Sequence, residues 1–454
     1  MEHFDLIIIG SGSGNSIPAE FAGQKVALVE RGTFGGTCLN VGCIPSKMFV
    51  LPADVADSAR HGHRLGVDTS FNGVDWPAIR DRVFNRIDPI AASGETYRAT
   101  GTPNLELIKA TARFTGERVL DVDGRTITAP KILVATGSRV TNPPIKGLDQ
   151  VRVHSSDTIM RLEQFPARLG IIGGGFIAAE LGHVFSGYGS AVTLFNRSNQ
   201  LLRAEDGEIS ARFTEVFGRR ADLRLGQVPD LVEQVGDVIK IHVGNEVTEV
   251  DELLVAAGRV PNSALVDAEA GGLELDESGR IKVDETMATS VEGVWAIGDV
   301  SNRFQLKHLA NLEAKVAFWN MQHPDELQEV DYRAVPHAVF SDPQIGAVGL
   351  TEEQATEQGL DYVVGRRDYG GTAFGWALED EDSFAKVLIA KDTGLIIGAH
   401  ILGPQSASLV QPLIQAMQFG QTAKSVAEDV FYIHPALTEV VENALLDGLE
   451  KLSS

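Results

Sequence analysis

Cysteine is nearly absent from this chain: there are two in 454 residues, Cys38 and Cys43. Both lie in Gly-Gly-Thr-Cys-Leu-Asn-Val-Gly-Cys-Ile-Pro-Ser-Lys, so they cannot staple the chain globally. A bridge across so short a loop removes little entropy from the unfolded state. Positive charge is also scarce. With 39 Lys and Arg against 62 Asp and Glu, the formal net charge is −23. That balance argues against nucleic acid, whose phosphates need a basic footprint, and disfavours an anionic membrane surface. No apolar run approaches the length of a membrane span. The N-terminus, Met1-Glu2-His3-Phe4-Asp5, is acidic and leads only into Leu6-Ile7-Ile8-Ile9, which is not the basic start and long apolar stretch of a signal peptide. A cytoplasmic protein with no nucleic-acid or membrane partner is expected. In that compartment a neighbouring cysteine pair is more often catalytic than structural. Low-complexity tracts and solenoid repeats are absent too.

The length fits about three domain-sized units, and 43% hydrophobic with 22% charged residues allows ordinary cores. The strand-like Phe4-Asp5-Leu6-Ile7-Ile8-Ile9 runs into Gly10-Ser11-Gly12-Ser13-Gly14-Asn15 and then an alanine-bearing stretch expected to be helical. A second strand, Val26-Ala27-Leu28-Val29, ends at Glu30. This is a strand–turn–helix–strand unit closing on an acid 20 residues after the first glycine, as a dinucleotide fingerprint requires. The pattern returns as Leu169-Gly170-Ile171-Ile172, Gly173-Gly174-Gly175-Phe176-Ile177-Ala178 and the strand Ala191-Val192-Thr193-Leu194-Phe195. Two such units imply two dinucleotides. Further strand-to-turn segments are Ile132-Leu133-Val134-Ala135-Thr136-Gly137, Leu253-Leu254-Val255-Ala256-Ala257-Gly258 and Trp295-Ala296-Ile297-Gly298-Asp299. Pro143-Pro144 marks a boundary. From about Tyr332 the pattern changes, with strands and two late helices, near 406–420 and 436–452.

Three readings of the cysteine pair compete. A structural disulfide is disfavoured by loop length and compartment. A zinc site would need partners such as His61 and His63, but the Cys-x4-Cys spacing is loose and no second cysteine pair exists. A redox centre accounts for the spacing best. Lys47 lies four residues after Cys43, on the same face if a helix continues. Alone it would read as a surface lysine. His434-Pro435 followed by Glu439 has the make-up of an acid–base element, in which a carboxylate orients and stabilises an imidazole. In the second finger the strand ends without an acid, and Asn196-Arg197 and then Arg203 follow. An acid there would select the 2′-hydroxyl of NAD, whereas arginine accommodates the 2′-phosphate of NADP. The bland alternative is two surface arginines on an acidic protein.

In this order the motifs resemble those of the class I flavoprotein disulfide reductases, over essentially the whole chain. Within that family, Gly12-Ser13-Gly14-Asn15-Ser16 and Cys43-Ile44-Pro45-Ser46-Lys47-Met48-Phe49 are most similar to mycothione reductases. The resemblance implies an α/β chain of two Rossmann-like dinucleotide-binding domains and a C-terminal α+β dimerisation domain. The expected divisions are 1–148 (FAD, first part), 149–262 (NADPH), 263–334 (FAD/central, second part) and 335–454 (dimerisation). By resemblance FAD would lie on Gly10, Gly12, Gly14, Glu30, Thr37, Lys47, Ala112, Thr136, Gly137 and Asp299, with Glu30 on the adenosine ribose and Asp299 on the ribityl chain. The pyrophosphate would gain from the N-terminus of the first finger's helix. Asn15 departs from the family's third glycine. NADPH would lie on Gly173, Gly175, Ala178, Arg197, Arg203 and Gly258, with Phe176 covering the flavin until it enters.

The same resemblance implies that Cys43 faces the flavin while Cys38 attacks the substrate as a thiolate. Lys47 would sit by the flavin, paired with Glu180. His434 and Glu439 would come from the other subunit of a homodimer, so that two chains build one site. The implied activity is NADPH-dependent reduction of a small disulfide, mycothione, through FAD. The alternatives are an NAD-linked dihydrolipoamide dehydrogenase or a glutathione reductase-like enzyme. The lack of any further cysteine argues against mercuric and high-molecular-weight thioredoxin reductases.

Overall fold

Residues Met1–Ser454 are all described by the structure, a computed structural model. Leu6–Ile9 and Val26–Val29 are apolar at every position and buried at every position. Strands of that kind need cover on both faces, which is the situation of a parallel sheet. They form the centre of a five-stranded parallel sheet in the order 294–296, 131–134, 6–9, 26–29, 105–108. The segment after Val29 carries two helices in tandem, α1 (Gly36–Asn40) and α2 (Cys43–His61), followed by α3 (Trp76–Thr96).

The expected helix after the first finger does not form. Ser13–Asn15 and Ala19–Phe21 are single 3-10 turns, separated by Ser16, Ile17 and Pro18. Pro18 has no N–H to donate and pushes Ile17 towards extended backbone, which stops an α-helix from propagating through the segment. The second finger behaves as its sequence predicts. Its strand (Arg168–Ile172) leads through the glycines into the 13-residue α4 (Phe176–Tyr188) and on to the strand Ala191–Asn196. The parallel order here is 222–225, 191–196, 168–172, 252–255. Next comes α5 (Gly207–Phe217), capped by the Asp206 side chain, and later α6 (Lys307–Gln322), which returns to the first sheet's side.

Beyond Tyr332 the chain builds a five-stranded antiparallel sheet, in the order 336–339, 345–349, 396–402, 384–390, 362–368. The C-terminal helix (Thr438–Ser453) lies so close on it that a Cβ at Gly365 would stand 2.0 Å from the Ala444 carbonyl oxygen. The late helix expected near 406–420 divides into Ser406–Leu409 and Gln411–Gln418. Pro412, in the first turn of the second piece, cannot continue the hydrogen-bond ladder of the first. No helix is long and apolar enough to cross a membrane.

Candidate active site

Both fingers are built on the same backbone device. Gly10 has φ +107°, and a Cβ there would stand 2.4 Å from the carbonyl oxygen of Ala135. Gly173 has φ +130°, and a Cβ there would stand 2.3 Å from the carbonyl oxygen of Ala256. Only glycine fits such a position. In the first unit Glu30 accepts hydrogen bonds from Ser11 N (2.9 Å), Ser11 Oγ (2.7 Å) and Gly32 N (2.7 Å), so its carboxylate stands at the finger. Gly36, which opens α1, crosses the same finger: a Cβ on it would be 2.8 Å from Gly12 Cα. The cysteine loop therefore begins directly on the glycine turn.

Cys38 lies within α1 and Cys43 is the first residue of α2, and the two are disulfide-bonded with Cα atoms 4.7 Å apart. Thr37 stands beside them, exposed. The expected helical register after Cys43 is present, so Lys47 lies one turn on from Cys43. Its Nζ donates to both carboxylate oxygens of Glu180, at 2.6 and 2.5 Å. Glu180 is buried in α4, so this pair ties the cysteine helix to the helix of the second finger. Removing Lys47 would leave the buried Glu180 carboxylate without its counter-ion, whereas the Lys47 side chain itself is 32% exposed. Phe340 was not legible in the sequence as part of this cluster. Its N–H donates to Glu180 Oε1 at 3.0 Å, and its ring lies 4.6 Å from the Lys47 ammonium, a cation–π distance. The α2–α4 seam is tight throughout: Tyr188 donates to the Phe49 carbonyl at 2.6 Å, and a Cβ on Gly187 would stand 2.9 Å from Ala53 Cβ.

The other expected cofactor residues divide between the two units. Thr136 and Gly137 follow the strand Lys131–Val134, and Thr136 Oγ1 is buried without a hydrogen-bond partner. Asp299, in a 3-10 turn, accepts from Ser138 Oγ at 2.6 Å. Behind that turn the fully buried Glu313 accepts from Gly298 N at 2.7 Å and from Asn302 Nδ2, and burial pushes its carboxyl up from the ordinary range. Ala112 is buried at the start of a strand in a neighbouring sheet. In the second unit Gly175 caps α4, Phe176 is exposed at its start and Ala178 is buried. Gly258 has φ +137° with open space around its α-carbon. Arg197 is exposed and Arg203 likewise, and neither side chain is engaged in a hydrogen bond or ion pair.

These features fit two dinucleotides. An orphaned buried hydroxyl at Thr136, a carboxylate at the finger and a backbone that admits no side chain match a flavin dinucleotide. Two free guanidiniums beyond the second finger match an extra phosphate. His434 and Glu439 stand apart from this cluster. His434 Nδ1 is 2.8 Å from Glu439 Oε1, in the first turn of the C-terminal helix, and the histidine side chain is 73% exposed. Around it Val430, Phe431 and Ile433 are exposed as well.

The comparisons with known proteins agree with this geometry. The family described as pyridine nucleotide-disulphide oxidoreductase matches residues 4–314, and its dimerisation domain matches residues 335–445. Mycothione reductase of Mycobacterium tuberculosis (strain ATCC 25618 / H37Rv) is 47% identical, covering 98% of this chain and 99% of that one. A mercuric reductase of Bacillus cereus is 33% identical over 94% of this chain, but the match covers only 68% of that protein. Among solved structures, the HOCl-induced flavoprotein disulfide reductase RclA from Escherichia coli superposes with a TM-score of 0.85 at 26% identity, covering 98% of this chain and 99% of that one.

Proposed function

Since the chain belongs to the pyridine nucleotide-disulphide oxidoreductase family, we propose that it reduces a low-molecular-weight disulfide, mycothione, with electrons from NADPH. The observation that carries this reading is the Cys38–Cys43 disulfide at the start of a helix whose Lys47 is ion-paired with Glu180 of the second finger. The 47% identity to a mycothione reductase over nearly the whole chain supports the choice of substrate. The unpaired Arg197 and Arg203 favour NADPH over NADH, and so favour this reading over a dihydrolipoamide dehydrogenase.

FAD is assigned to Gly10, Gly12, Gly14, Glu30, Thr37, Lys47, Ala112, Thr136, Gly137 and Asp299, and NADPH to Gly173, Gly175, Ala178, Arg197, Arg203 and Gly258. The chemistry that FAD supplies when bound is two-electron transfer from NADPH to the Cys38–Cys43 disulfide. Lys47, held by Glu180, keeps positive charge at that junction. The Cys38 thiolate attacks one sulfur of the substrate, forming a mixed disulfide and releasing one thiolate, which takes a proton from His434. Cys43 then attacks the Cys38 sulfur, releasing the second thiol and restoring the disulfide. Glu439 orients the imidazole and stabilises its protonated form.

The exposure of His434, among exposed Phe431 and Ile433 in the family's dimerisation domain, supports a homodimer in which His434 faces Cys38 of the partner subunit. The proposed divisions remain 1–148, 149–262, 263–334 and 335–454, and the cytoplasm is the proposed location. Turnover of mycothione, glutathione disulfide and lipoamide with NADPH and with NADH tests the assignment. Mycothione with NADPH is expected to be the best pair, and equal use of NADH overturns the cofactor choice. Cys38→Ser is expected to lower disulfide reduction by at least about 1,000-fold while NADPH still bleaches the bound flavin. Turnover that survives the substitution overturns the mechanism.

A further inference from the structure

The first finger lacks the helix whose N-terminus usually cradles a pyrophosphate. Its two 3-10 turns supply no sustained dipole and few aligned N–H groups, yet the family's flavin carries two phosphates. Two cations from distant parts of the chain converge on these turns. Lys307 Nζ donates to Ser13 Oγ at 3.0 Å, and Ser13 Oγ in turn donates to Asn311 Oδ1 at 3.0 Å. Arg98 donates from Nε to Asn15 Oδ1 at 2.7 Å and from Nη2 to the Asn15 carbonyl at 2.8 Å. Asn15 is the residue that replaces the fingerprint's third glycine.

Neither cation has an acid partner, although the chain has far more acids than bases. Both are partly withdrawn from water, and burial lowers the pKa of each below its ordinary value with no carboxylate opposing it. A half-buried charge without a counter-ion is costly, and an anionic ligand removes that cost. Lys307 also opens α6, a 16-residue helix with no side-chain cap at its N-terminus, so the helix's first free N–H groups lie beside the lysine. Arg98 keeps Nη1 uncommitted, and a guanidinium edge suits a phosphate.

We propose that the pyrophosphate of FAD is held by the side chains of Lys307 and Arg98, which replace the missing helix N-terminus of the first finger. Ser13 and Asn15 act as positioning residues that aim the two cations. The inference rests on the assignment of FAD to this finger. It accounts for a finger that departs from the fingerprint at Asn15 and Pro18 in an otherwise complete member of its family.

Full-length holoprotein of the wild type, Lys307→Met and Arg98→Met is diluted in low and high salt, and released FAD is read by its fluorescence. Each variant is expected to weaken FAD binding by about ten- to a hundredfold, the usual range for a lost charge-assisted hydrogen bond. Each is also expected to show a shallower salt dependence, and the midpoint potential of the flavin that stays bound is expected to be unchanged. Lys307→Arg and Arg98→Lys keep the charge and are expected to recover most of the affinity, which separates charge loss from misfolding. Wild-type affinity in both methionine variants overturns the inference and leaves the FAD assignment standing. A shifted potential with unchanged affinity also overturns it, because the charges would then face the ring. Wild-type protein that binds no FAD would overturn the assignment beneath it.

Discussion

The two nucleotide fingers start alike and end differently. Each places a positive-φ glycine against the carbonyl of a neighbouring strand's end, Gly10 on Ala135 and Gly173 on Ala256. After that the second finger runs into a 13-residue helix, while the first breaks into two short turns. The second closes on free arginines and the first on a hydrogen-bonded carboxylate, Glu30. The glycine geometry is thus a requirement of the strand–turn junction alone. The segment beyond the turn can be exchanged, provided that other groups meet the ligand's charge.

Among the lesions that test this contrast between the fingers, matched changes at the two glycines give the largest expected effects. Gly10→Ala and Gly173→Ala each impose a positive φ on an L-residue and drive a methyl group into a carbonyl, costs of about 1–3 kcal/mol each. Gly10→Ala is expected to yield protein depleted of flavin. Gly173→Ala is expected to keep its flavin but lose reduction by NADPH by more than about a hundredfold. Stopped-flow bleaching and flavin content check both, and identical defects in the two variants would break the comparison. A smaller effect is expected from Arg197→Gln and Arg203→Gln. Each is expected to raise the KM for NADPH by about tenfold to a hundredfold, with the KM for NADH and kcat little changed. An equal rise for NADH would mean that the arginines do not read the 2′-phosphate.

The smallest effect concerns how the second finger's arginine loop is anchored. Glu205, two residues after Arg203, accepts from His337 Nε2 at 2.9 Å, and Lys386 is buried against the neighbouring Asp206 at 2.7 Å. Burial pulls the His337 pKa down, but the Glu205 hydrogen bond and charge outweigh it, so the folded value lies above the ordinary one. A raised histidine pKa adds stability that is complete below the unfolded value, about 6.5, and is lost as pH rises through the folded value. Melting temperature is expected to fall slightly across that window in the wild type and to stay flatter in His337→Gln. Matching pH profiles would remove the anchor from the account.

The parts of the site set by sequence-local geometry were legible. Gly10, Gly173, Glu30 and the Cys38–Cys43–Lys47 register follow from strand, turn and helix periodicities over a few residues. The loss of the first helix was only half visible. Asn15 and Pro18 signalled an altered start, but whether a short segment nucleates a helix at all is a cooperative outcome that a local pattern does not fix. Phe340, Glu313, Lys307 and Arg98 were not legible. Each reaches its partner across 83 or more residues or from behind a turn, and no spacing rule connects them. His434 and Glu439 were legible as a pair because they lie five residues apart, one just ahead of the C-terminal helix and the other in its first turn.

The contact of Gly36 with Gly12 has a consequence for how the thiols cycle. One end of the cysteine loop is pinned on the finger's backbone, and the other continues into a helix locked to α4 by Lys47, Gly187 and Tyr188. Opening the disulfide therefore releases no slack. The two sulfurs stay at a high effective concentration for each other, and oxidation needs little movement of the surrounding atoms. A methyl group added at Gly36 would push on the flavin's finger and the dithiol's tether together, coupling in one residue the affinity for a cofactor and the ease of closing a bond.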